Sequence, residues 1–168
     1  MNPEELKAMQ APLKSQYRKL PETATITLKS QGVLGENLTC SVETAKALVR
    51  AGLHPATGGD GLSACSGDML LQALVACAGV TLLAVSTALE IPVNGGTVKA
   101  EGDLDFRGTL AVDRDARVGF SSIRLNFELD SNATADQIDT LTKLTERYCV
   151  VYQTLRSAPS IELTVESS

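Results

Sequence analysis

Between Asp68 and Glu90 the chain runs Met-Leu-Leu-Gln-Ala-Leu-Val-Ala-Cys-Ala-Gly-Val-Thr-Leu-Leu-Ala-Val-Ser-Thr-Ala-Leu with no charged residue. Ser66 is suited to cap a helix over about 67–90, Asp68 places an acid in its first turn, and Ile91-Pro92 ends it. A helix apolar around its whole circumference belongs inside a protein. The stretch is also long enough to span a bilayer. Gln72, Cys77, Gly79, Thr81, Ser86, Thr87 and many alanines dilute it, however, and strand-like segments flank it on both sides. The expectation is a buried central helix and no membrane.

The flanking patterns are mixed. Residues 3–18 read as a helix, with Asn2 as cap, Pro3 at the first helical position and acids in the first turn. Ala24 to Ser30 alternates and is β-branched, which predicts a strand. Gln31-Gly32 and Gly35-Glu36-Asn37 mark a turn, and Leu38, Cys40 and Val42 share one face of a second strand. Glu43 to Arg50 suits a short helix, followed by the glycine-rich loop Thr57 to Gly61. Val98 to Leu104 predicts a further strand. From Arg117 to Leu129, Val118 and Phe120 lie on one parity and Ile123, Leu125, Phe127 and Leu129 on the other, which predicts a β-bulge near Ser121-Ser122. Thr134 and Gln137 form a capping-box pattern that opens a helix through Cys149, and Ile161 to Val165 alternates as a last strand. These elements make an α+β domain around one buried helix.

The chain has 168 residues, 43% of them hydrophobic, enough for one domain with a sizeable core. The first 21 residues read as a helical extension and residues 22–168 as the domain proper. A net charge of −5 argues against nonspecific nucleic-acid binding, which needs a basic surface. The N-terminus reads as a helix start and not as a secretion signal, so the expected location is cytoplasmic, where thiols stay reduced.

Four cysteines fall at 40, 65, 77 and 149, with a single histidine, His54. Their spacing does not suit zinc, whose paired ligands usually stand two to four residues apart. Cys40 alternates with Leu38 and Val42 and reads as core packing. Cys65 stands just ahead of the helix without an activating neighbour in sequence. Cys77 is either inert packing or a nucleophile in a protected pocket, and chemistry there requires something that lowers its pKa.

The segment Ser66-Gly-Asp-Met-Leu-Leu-Gln-Ala-Leu-Val-Ala-Cys77 resembles the P-E-L-L-x-A-A-L-x-x-C signature of the OsmC/Ohr family. Glu146-Arg-Tyr-Cys149-Val-Val-Tyr-Gln-Thr-Leu155 is similar to the family's second cysteine motif. Gly102 to Gly108 and Val118 to Leu125 look like its G-x-x-D-x-R-G and G-F-x-x-I-x-V strands. The resemblance implies an OsmC-like two-layer fold and an intertwined homodimer whose central helices pack together. It implies thiol-dependent reduction of organic hydroperoxides, with Cys77 peroxidatic, Cys149 resolving, a dithiol reductant of lipoyl type in some relatives, and neither metal nor flavin cofactor.

The family's activating pair is an arginine and a glutamate. The glutamate position, ten residues before the cysteine, holds Gly67 here, with Asp68 beside it, and Arg50 is the candidate arginine. Asp68 is alternatively a helix-start charge, and Arg50 a solvated residue. This departure favours one alternative function, a small-molecule binding protein without turnover, and a Cys77-based thiol or acyl transferase using His54 is a second.

Overall fold

The computed structural model describes residues 2–20, 32–35, 39–43, 48–111 and 113–167. Helix α1 spans Pro3–Lys19. Three short strands follow, β1 (Gly32–Gly35), β2 (Thr39–Glu43) and β3 (Leu48–Gly52), paired antiparallel in that order, and β4 (Ala64–Cys65) joins β3 in parallel. Two expectations are corrected here. Gly32 and Gly35, read as turn residues, lie in a strand paired with β2. Of the helix expected over Glu43 to Arg50 the described residues are strand, with Glu43 ending β2 and Leu48 to Arg50 opening β3. Isolated helices that short are marginal, whereas Val49 gains a cross-strand partner in Val42, so pairing overrides helix propensity. The strand expected at Ala24 to Ser30 lies outside the described residues.

Helix α2 covers Ser66–Leu89, with Cys65 at the cap position in place of the expected Ser66. Glu90 ends it in the left-handed conformation, φ 56°, donating its N–H to the carbonyls of Ser86 and Thr87. By length and composition α2 could cross a membrane. In this fold it packs against β5, α4, α5 and α1. Its buried residues are Leu74, Ala78, Leu82, Val85 and Ser86, a single stripe at helical spacing. Val80 and Leu83 remain 70% and 55% exposed, so one chain buries only one face of this apolar helix.

Strands β5 (Gly95–Leu104) and β6 (Phe120–Asp130) form a long antiparallel ladder. Asp103 pairs with Ser122 and Leu104 with Phe120, which leaves Ser121 as the extra residue of the predicted bulge. The bulge lets Phe120 lie across Gly102, where an added Cβ would stand 2.4 Å from the ring. Between these strands α3 (Phe106–Thr109) forms a single turn. Leu82, Val85, Ile91 and Leu141 make the core, with Phe127 and Leu129 of β6 packed on it.

Helix α4 (Ala135–Tyr148) starts at the predicted capping box, with Thr134 Oγ1 accepting from the Gln137 amide and Gln137 Oε1 from the Thr134 amide. Cys149 leaves helical geometry at ψ 109° and α5 (Val150–Arg156) begins at once. The expected last strand is not formed: Ile161, Leu163 and Val165 lie in irregular chain and are 87%, 85% and 79% exposed. Among the described residues no strand pairs with them.

Candidate active site around Cys77 and Cys149

Cys77 lies near the middle of α2, half-buried, and Cys149 is buried at the joint between α4 and α5. The packing of α4 and α5 on α2 brings the two thiols together across a long separation in sequence. Both are free. Their surroundings pull them apart chemically. Burial pushes the Cys77 thiol up, but the amides of Val151 and Val150, the Cys149 thiol and the Thr81 hydroxyl favour its thiolate and win, holding it below an ordinary thiol. Cys149 goes the other way. Burial raises it and the neighbouring Cys77 sulfur adds to that, against the amides of Tyr152 and Val151. One thiol of the pair is therefore poised to ionise and the other to keep its proton.

The groups that act most strongly on Cys77 are uncharged. Asp68 is exposed in the first turn of α2. Nine residues of helix put it about 13 Å along the axis from Cys77 and half a turn around. Arg50 is exposed on β3, opposite Ser41. The chain thus joins Cys77 to Cys149 without bringing Asp68 to them along the same helix face. The sequence did not point to Thr81, although it sits one turn after Cys77 on the same face. The amides of Val150 and Val151 had no signal at all, because no glycine or proline marks the break at Cys149.

His54 is remote from this pair in its contacts. Its ring stacks on Phe106 at 5.1 Å between centroids, and its Nδ1 accepts the Ala56 amide at 3.0 Å. It lines a small recess of about 360 Å³ together with Cys65, Asp68 and Asp103. The carboxylate of Asp103 is clamped there by Arg124 and Ser122, which hold it well below the usual range.

A family model described as "OsmC-like protein" matches residues 58–164. The chain belongs to the OsmC-like protein family. Solved structures agree on the fold. An OsmC-like protein from Mycoplasma pneumoniae superimposes with a TM-score of 0.67 at 18% identity, over 79% of this chain and 89% of its own. An organic hydroperoxide resistance protein from Legionella pneumophila, also described as a predicted redox protein and regulator of sulfide bond formation, gives 0.62 at 14% identity, over 79% and 90%. A third similarity is of another kind: 94 residues, 56% of this chain, are 34% identical to Chaperonin GroEL 3 of Frankia casuarinae, and they span 15% of that protein. The OsmC-like match takes in both cysteines, the bulged ladder and the α4–α5 joint, while α1 and β1–β3 precede it.

Proposed function

We propose that this OsmC-like protein is a thiol-dependent hydroperoxide reductase, with Cys77 as the peroxidatic and Cys149 as the resolving cysteine. Family membership supports a general redox, antioxidant role, and the opposite pKa displacements of the two neighbouring thiols carry the finer reading. The Cys77 thiolate attacks one oxygen of the hydroperoxide, the O–O bond breaks, and the departing alkoxide takes a proton to leave as alcohol. Cys77 is then a sulfenic acid, two electrons more oxidised. The Cys149 sulfur, on losing its proton, displaces hydroxide from it, which leaves as water, and an S–S bond forms. A dithiol returns both cysteines to thiols by exchange and is itself oxidised to a disulfide. The protonated Cys149 suits this order, because a resolving thiol should not compete for peroxide.

In this reading the protein works as a homodimer in the cytoplasm. The exposed Val80 and Leu83 of α2 offer a face for the partner's central helix, and the exposed C-terminal alternation from Ile161 to Val165 offers a strand to a second copy. Arg50 and Asp68 are exposed and are not among the groups that act most strongly on Cys77 within one chain. The amides of Val150 and Val151 take over thiolate stabilisation.

A binding protein without turnover is the second reading, favoured by the uncharged surroundings of Cys77. Consumption of cumene hydroperoxide with dihydrolipoamide separates the two. Wild type should turn over, Cys77→Ser should lose all activity, and Cys149→Ser should lose turnover but keep one equivalent of peroxide reduction. Equal, slow consumption by wild type and Cys77→Ser would favour the binding protein.

A further inference from the structure

A second concavity, lined by neither cysteine, lies between β6 and the α4–α5 pair. Its volume of about 450 Å³ falls in the range of roughly 300–1,000 Å³ that small-molecule sites occupy. Ile123, Leu125 and Phe127 of β6 supply one wall, and Tyr152 and Leu155 of α5 the other. The β6 residues are the half-buried side of a strand whose alternate residues, Arg124, Asn126 and Glu128, face solvent. Apolar side chains in such numbers hold water poorly and leave the cleft open to an organic occupant.

Arg117 and Arg156 also line the cleft, against one acid, Glu146. Arg107 is bridged to Asp105 and Asp113, and Arg124 to Asp103 and Glu101, and neither of these paired arginines lines the cleft. Among the described residues neither Arg117 nor Arg156 forms an ion pair. Two unpaired guanidinium groups against one carboxylate make the cleft locally positive on a chain whose net charge is −5. Guanidinium forks suit a planar carboxylate, which they can grip with paired hydrogen bonds.

We propose that this cleft binds an organic anion with an apolar body, of the size and chemistry of a medium-chain carboxylate, through its apolar walls and the pair Arg117 and Arg156. Neither thiol lines the cleft, and the proposal stands whether or not they turn over.

The test is an amide-resolved NMR titration of the reduced full-length protein with octanoate, octan-1-ol and acetate. Octanoate should saturate and shift the amides of Ile123 to Phe127 and Tyr152 to Arg156. Octanol, which lacks the charge, should bind about tenfold or more weakly, the usual scale for hydrogen bonds to a charged group, and acetate should bind weakly for want of a body. Replacing both Arg117→Gln and Arg156→Gln should bring octanoate down to the level of octanol. Thr142→Trp, filling the cleft from its rim, should block both, and Cys77→Ser should bind octanoate as wild type does. The proposal is overturned if octanol binds as tightly as octanoate, if the shifts cluster elsewhere, or if Cys77→Ser loses binding. It is also overturned if Leu163→Asp strengthens octanoate binding, since the cleft would then be the seat of the C-terminal segment.

Discussion

At Cys77 the ordinary effect of burial on a thiol is reversed. Burial alone would hold the proton on, yet two amides, a thiol and a hydroxyl make the anion the better-served form. The sign can be read in alkylation. With iodoacetamide, the pH midpoint for Cys77 should lie below that of an ordinary thiol and the midpoint for Cys149 above it, each followed by peptide mass mapping. Cys149→Ala removes one of the lowering groups and should shift the Cys77 midpoint upward. A Cys77 midpoint at or above the ordinary value would remove the basis for its role. Both cysteines were legible in the sequence, as members of two motifs. Asp68 stands nine residues before Cys77, and nine residues of helix turn a side chain to the far face, a rotation that a count along the chain does not carry. Thr81 needed that same rotation to be found.

Among the elements, the ones read best carried a pattern no other fold could satisfy. The parity switch before Ile123 demanded an extra residue, and Ser121 is that residue. The capping box at Thr134 and Gln137 is present as read. The segment around Val49 was misread because its residues suit a helix in isolation and only the neighbouring β2 makes it a strand. The α4–α5 break escaped for a different reason: it occurs at a cysteine, with helix-forming residues on both sides. The bulge also supports a quantitative expectation. Gly102→Ala would place a methyl against the Phe120 ring, and the ring has to leave its seat beside α2. We expect a loss of about 1–3 kcal/mol in urea unfolding, the usual cost of overpacking. An unchanged midpoint would mean that the ring moves freely.

For the whole molecule, the sequence implied a central helix without a solvent face, and the single chain leaves part of that helix bare. The discrepancy is explained if the missing cover is a second copy, which no intrachain pattern can reveal. Sedimentation at micromolar concentration should give a dimer, and Val80→Asp with Leu83→Asp should give a folded monomer, because charge on that face cannot be buried cheaply. A wild-type monomer would leave the apolar face to another partner.

The position of the two thiols has a topological consequence. Everything from the second half of α2 through β5, α3, β6 and α4 lies between Cys77 and Cys149 along the chain. A bond between them would close that stretch into a covalent ring and deprive the unfolded chain of much of its freedom, by about 4 kcal/mol for a loop of this length. Oxidised protein should therefore unfold at higher denaturant than reduced protein, and Cys149→Ser should abolish the difference. The record of a spent oxidant would then be kept in the resistance of the molecule to being pulled open.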